Sequence, residues 1–193
     1  MSYLESLIGK KINELGYNDF VEYFQNPHVE SNIAEYKSFN PRGDFESKLN
    51  GIYKAVCALL NSEGGIIIWG APNGERLEGR KEKEFSGDLT PLDRIIEKDY
   101  LINKISDNIT PLPNTIETEI IENDGVCLVV IEVSKSPSAP HQTNDTYYMR
   151  LDGQSKPAPH HYIEALFRKI KYPELGGYIK FENFNTDRVN YFL

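Results

Sequence analysis

Three charged residues near the start of the chain, Glu30, Glu35 and Lys37, have the types and spacing of a site for phosphate chemistry. Two carboxylates can share a divalent cation such as Mg²⁺ or Mn²⁺, and an ammonium beside them can neutralise a phosphoryl oxygen. Spacing sets a condition. Glu35 and Lys37 are two apart and share one face of a strand, whereas Glu30, five residues from Glu35, would point to the opposite face of a regular strand. The two acids meet only if residues 26–31 turn off the strand, and Asn26-Pro27 permits that turn. The competing arrangement leaves the charges on a solvent face with Ala34 and Tyr36 packed inside.

A second group lies later in the chain: Arg42, Arg150, Lys156, His160, His161 and Tyr162. Tyr147-Tyr148-Met149-Arg150 ends a strand with aromatic rings beside a cation, a composition that suits backbone contacts and base stacking on single strands. Its alternative is core aromatics followed by a surface arginine. The His160-His161 pair opens a helix, where capping or packing explains it better than metal ligation. The Gly-rich stretches around Gly64-Gly65 and Gly70–Gly74 do not form a phosphate loop. The first follows a helix and precedes a strand, the reverse of the order that aims N–H groups at a phosphate. No Gly-Lys-Ser/Thr occurs, so a Walker-type site is excluded and no ATP is expected.

These residues need elements to hold them. Apolar residues recur at spacings of three and four from Leu4 to Phe24, broken at Leu15-Gly16, which predicts two short helices. Ile33–Phe39 alternates as a strand. Asp44 caps a helix whose stripe is Phe45, Leu49, Ile52, Val56, Leu59 and Leu60. It ends at Asn61–Gly65, with Gly64 suited to a left-handed cap, and Ile66–Gly70 follows as a buried strand. Residues 71–90 are polar and read as a long loop. Thr90-Pro91-Leu92-Asp93 is a capping signature, predicting a helix to about Ile109. Thr115–Ile121 and Val126–Val133 flank the hairpin signal Glu122-Asn123-Asp124-Gly125. Thr146–Leu151 is a last strand, closed by Asp152-Gly153, and Pro159–Lys171 a last helix. Helices and strands mixed in this order predict an α+β fold, a single domain with a mixed sheet containing a hairpin and flanked by helices.

Composition narrows the classes. With 193 residues, 12 Tyr and 9 Phe, the chain has enough apolar surface to fold rather than stay disordered. No run approaches 18 apolar residues, so no membrane helix is expected. The N-terminus shows no signal-peptide pattern. Cys57 and Cys127 sit in apolar segments, as free buried thiols of a reducing, cytoplasmic compartment would. The net charge of −8 argues against a generic nucleic-acid coat. Residues 71–140 hold 8 Lys/Arg against 14 Asp/Glu, while residues 141–193 hold 7 against 6, so any polyanion-binding surface must be local.

Four blocks together carry a resemblance. Glu30-Ser31-Asn32-Ile33-Ala34-Glu35-Tyr36-Lys37 resembles the opening E-S-x-x-x-E-[FY]-K of the Schlafen-type Alba domain. Ala55–Gly70, with Asn61 and Gly64-Gly65, is similar to that family's Asn…Gly-Gly strand entry. Leu77-Glu78-Gly79 and Tyr147–Gly153 resemble its later blocks. The ordered set spans residues 29 to about 165. The resemblance implies an α+β domain with nucleic acid, DNA or RNA, as ligand, in bacteria commonly within larger regulators. Eukaryotic Schlafens use the domain as a metal-dependent endoribonuclease on structured RNA such as tRNA. Carried over, Glu30 and Glu35 would hold Mg²⁺ or Mn²⁺, Lys37 would stabilise phosphate charge, and the third acid would fall at Asn73. Asn73 is a departure, because it offers an oxygen without a negative charge.

The expected organisation is an N-terminal helical segment (1–28), a Schlafen Alba-like domain (29–171) and a C-terminal tail (172–193) for docking or dimerisation. The leading functional expectation is a regulatory or defence-related nucleic-acid-binding domain, with Lys37, Arg42, Tyr148, Arg150 and Lys156 as contacts. The alternatives are the metal-dependent endoribonuclease, with Glu30, Glu35, Lys37 and Asn73 as its site, and an oligomerising interaction module. The eukaryotic enzymes build their groove from two lobes, which a chain of this length would imitate only as a homodimer.

Overall fold

A computed structural model describes residues 2–76, 79 and 82–169. The expected tail at 172–193, the end of the last predicted helix and the Leu77-Glu78 pair lie outside the described residues.

The N-terminal pattern forms α1 (Tyr3–Leu7), a 3₁₀ turn (Ile12–Glu14) and α2 (Tyr17–Tyr23). Then come β1 (His28–Val29), β2 (Ala34–Lys37), α3 (Phe45–Leu60) and β3 (Gly64–Trp69). β4 (Gly74–Arg76), β5 (Lys83–Phe85) and α4 (Lys98–Asn108) follow. β6 (Ile116–Asn123), β7 (Val126–Ser134), β8 (Gln142–Thr143), β9 (Thr146–Leu151), β10 (Gln154–Pro157) and α5 (His160–Lys169) complete the described chain. The fold is α+β.

Its centre is a mixed four-stranded sheet in the order β2-β3-β7-β6, with β2 parallel to β3 and the other neighbours antiparallel. Both faces are covered, so the inner strands read as continuous apolar runs rather than alternating ones. Ile67, Trp69, Val129, Ile131 and Val133 meet α3 and α4 on one face. Ile66, Ile68, Leu128 and Val130 meet Leu4, Phe20 and Phe24 from the N-terminal segment on the other. Burial of each Phe side chain there contributes about 2–3 kcal/mol. Glu132, nearly buried on β7, fastens that segment: Ser2 Oγ and the Tyr3 N–H donate to its two oxygens at 2.8 and 2.6 Å.

Asp44 caps α3 by accepting from the Ser47 N–H at 2.8 Å. The Asp124-Gly125 turn has positive φ at both residues, as a two-residue hairpin of this hand requires. At Gly65 (φ +148°) a Cβ would lie 2.3 Å from the Ile33 carbonyl oxygen, so the parallel pairing of β2 and β3 needs a glycine there.

Four expectations are corrected. Residues 71–90 are not a plain loop: β4 and β5 pair as a hairpin, and β1 extends it to a three-stranded sheet. Phe85 anchors the hairpin in the core, its ring 5.3 Å from that of Tyr36. The helix expected from Thr90 begins only at Lys98, because Leu92 exchanges backbone hydrogen bonds with Cys127 and is held extended beside β7. Gly64 is not the cap of α3; Asn61 ends the helix in right-handed geometry and Gly64 opens β3. The Asp152-Gly153 turn does not end the sheet, since β10 returns antiparallel to β9.

Candidate nucleic-acid interface

The chain does turn off the strand between β1 and β2, and this brings Glu30 to the outer edge of the main sheet. The carbonyls of Ile33 and Lys37 accept from Ile66 and Gly70 on the β3 side. Alternation therefore points the backbone groups of Ala34 and Tyr36 away from the sheet. They do not face water. The Tyr36 N–H donates to Glu30 Oε1 at 3.2 Å. The Ala34 carbonyl accepts from the Ser31 N–H at 3.0 Å and from an Arg150 guanidinium nitrogen at 3.1 Å.

Arg150 comes from β9 and is central to this edge. One terminal nitrogen donates to Glu35 and, at 3.0 Å, to Ser155 Oγ. The other faces the carbonyls of Ser31 (2.6 Å), Ala34 (3.1 Å) and Gly153 (3.0 Å). Its side chain is fully buried, and burial pulls the guanidinium down to about 10 against the opposing charge of Glu30, so it stays charged at neutral pH. Glu35, 3 % exposed, gives one oxygen to Arg150 and the other to Lys37. Lys37 is about one-third exposed; burial lowers its pKa and the charge of Glu30 raises it. The turn supporting Arg150 is tight. A Cβ on Gly153 (φ +69°) would lie 2.6 Å from the Glu30 carbonyl oxygen.

The structure thus gathers Glu30, Glu35, Lys37 and Arg150 into one cluster of two acids and two bases. Asn73 stands exposed between β3 and β4, and among the described residues no hydrogen bond or ion pair ties it to the cluster. Arg150 is corrected from an expected surface contact to an internal one. Tyr148 is half-buried against α3, with Lys54 Nζ 5.2 Å above its ring. Arg42 and Lys156 are exposed, and Lys156 pairs in register with Met149 on the outer hairpin. A cleft of about 180 Å³ opens beside Glu30, where Arg76 and Lys83 face Glu82 and Asp152.

A divalent cation at Glu30 and Glu35 does not fit this donor set. Both Glu35 oxygens are held by cations of the protein itself, and the four charges cancel; Mg²⁺ sites need uncompensated carboxylate. Among the described residues no group of three or more His, Cys, Asp or Glu is placed to hold a metal.

A second polar hub went unrecognised in the sequence. The buried Asn61 side chain donates to the carbonyls of His141 (2.7 Å) and Tyr148 (2.8 Å) and accepts from the His141 N–H (2.6 Å), while its own carbonyl accepts from Tyr162. His141 is completely buried. Its Nδ1 lies 2.8 Å from the Pro111 carbonyl, which can only accept, so Nδ1 carries the proton and Nε2 accepts from Ser136 Oγ at 2.6 Å. Burial lowers its pKa, favouring the neutral ring. This hub seats β8 and β9 against α3. The signal for Asn61 was its place just before Gly64-Gly65; nothing local marks His141 or Ser136.

An α+β domain whose sheet edge is closed by an E-x₄-E-x-K segment and a buried β9 arginine defines a recognisable class. Residues 30–159 match the Schlafen, AlbA_2 family, and the chain belongs to it. No curated protein matches the chain. Solved structures with a similar fold include the following two. One is the DIP2311 protein of Corynebacterium diphtheriae, 15% identical, TM-score 0.47, over 81% of this chain and 26% of that chain. The other is the N-terminal domain of a RecG-related protein of Nitrosomonas europaea, 13% identical, TM-score 0.44, over 89% of this chain and 99% of that domain. The chain spans about a quarter of the Corynebacterium protein. Among the described residues no helix is long and apolar enough to cross a membrane.

Proposed function

We propose that this chain is a nucleic-acid-binding domain that holds its ligand without cutting it. Family membership supports the ligand class. The observation that carries the absence of cleavage is the internal neutralisation of Glu35: with Lys37 on one oxygen and Arg150 on the other, it is not a free metal ligand. Contacts to the sugar-phosphate backbone fall to the exposed cations Arg42 and Lys156 and to the outward part of the Lys37 side chain. Tyr148 serves as a stacking surface with Lys54 above it.

Filter binding titrated against salt tests this. On duplex DNA, log K should fall against log salt with a slope of about −0.9 per phosphate contact, and Arg42→Ala and Lys156→Ala should each reduce the slope by about one unit. A flat response overturns binding. Mn²⁺-dependent cleavage of tRNA that disappears in a folded Glu35→Ala variant overturns the non-cleaving half.

A further inference from the structure

We propose that the outer edge of β6 and the groove along it form a docking site for an extended basic peptide, which adds to the main sheet as a fifth strand. Ser134 donates its N–H to the Thr115 carbonyl, which makes that pair a hydrogen-bonded one and fixes the alternation along β6. The backbone groups of Ile116, Thr118, Ile120 and Glu122 therefore point out of the sheet. Among the described residues none of them has a backbone partner, and β6 is the last strand. Such an edge is a template for strand addition.

The edge is also the floor of a groove of about 580 Å³. The 3₁₀ turn with Ile12 forms one wall and α4, with the exposed Ile102, the other. Within it the Thr118 hydroxyl is buried and has no hydrogen-bond partner. A buried hydroxyl left unpaired is costly, so this stretch of β6 is not completed by the described residues alone.

Charge selects the occupant. Glu117 and Glu119 lie on β6 within the groove, with Glu5 and Glu132 beside them; among the described residues lining it, Lys98, paired with Glu119 at 3.2 Å, and Lys11 oppose them. A second copy would set Glu117 and Glu119 against their own kind, and like charges across strands repel. A peptide alternating lysine with aliphatic residues matches instead, its lysines facing the carboxylates and its aliphatics facing Ile102 and Ile116.

The probe is acetyl-Lys-Ile-Lys-Val-Lys-Ile-amide added to the full chain, with acetyl-Glu-Ile-Glu-Val-Glu-Ile-amide as control. Binding of the lysine peptide alone is expected, with amide exchange at Ile116, Thr118 and Ile120 slowed at least tenfold and unchanged in β2. Glu117→Lys should weaken binding roughly tenfold while leaving the melting transition in place. Three results overturn the proposal: equal binding of both peptides, no protection of those amides, or full protection before any peptide is added. The last would show the edge already taken by another part of the chain or by a second copy.

Discussion

The two edges of the main sheet are finished in opposite ways. At β2 the outward N–H of Tyr36 and carbonyl of Ala34 are satisfied by Glu30 and Arg150, and the β9–β10 turn closes over them. At β6 the outward groups have no backbone partner among the described residues and stand above a groove with an unpaired hydroxyl. The closed edge shows how a protein blocks strand addition without another strand: two oppositely charged side chains replace the missing neighbour. The family-matching glutamate and arginine thus have structural duties at the edge that a catalytic interpretation of the same motif overlooks.

This contrast breaks first at Arg150. Arg150→Met strands the Glu35 carboxylate and the carbonyls of Ser31, Ala34 and Gly153, and should cost about 3–5 kcal/mol in urea unfolding. Adding Glu35→Leu should recover part of the loss, because the orphaned charge goes with it. A double variant worse than Arg150→Met would refute the edge-closing role.

The closed side also depends on neutral His141. Its pKa is lowered by burial, so below the ordinary value of 6.5 the unfolded chain takes up a proton before the folded one. Stability is therefore full above about pH 6.5 and declines as pH falls from there through the lowered folded value. Hydrogen exchange at pH 5.5 should rise first in β8–β10 and leave β6 and β7 protected from each other. His141→Gln should cost about 1–3 kcal/mol through the partners it orphans, and should flatten this pH dependence.

Smaller effects separate the edges by sign. Glu30→Ala removes the acceptor of the Tyr36 N–H and should destabilise by about 1 kcal/mol. Thr118→Val, of similar shape, removes a buried unsatisfied hydroxyl and should stabilise by up to about 1 kcal/mol in thermal melts. Destabilisation by Thr118→Val would mean the hydroxyl is already paired in solution.

Elements with strong local signals were legible in the sequence. α3 has a capping aspartate and a long apolar stripe, and the β6–β7 hairpin has Asp-Gly between apolar runs. β4, β5 and β10 escaped because they are short and polar, and take their form from partners rather than from their own pattern. The Thr90-Pro91 signature misled because a long-range bridge from Leu92 to Cys127 outweighs a capping preference of about 1 kcal/mol. At the candidate site, the spacing allowed Glu30 to turn toward Glu35, as it does. Arg150 read as a surface cation because aromatics precede it, whereas its environment is made by Glu35, 115 residues away.

That separation has a consequence during synthesis. Until residue 150 has left the ribosome, β2 has been made but its lid has not, so a growing chain carries an uncovered border without the acidic strip that guards β6. Fragments ending before Arg150 should accordingly self-associate, while those extending past Ser155 should remain dispersed.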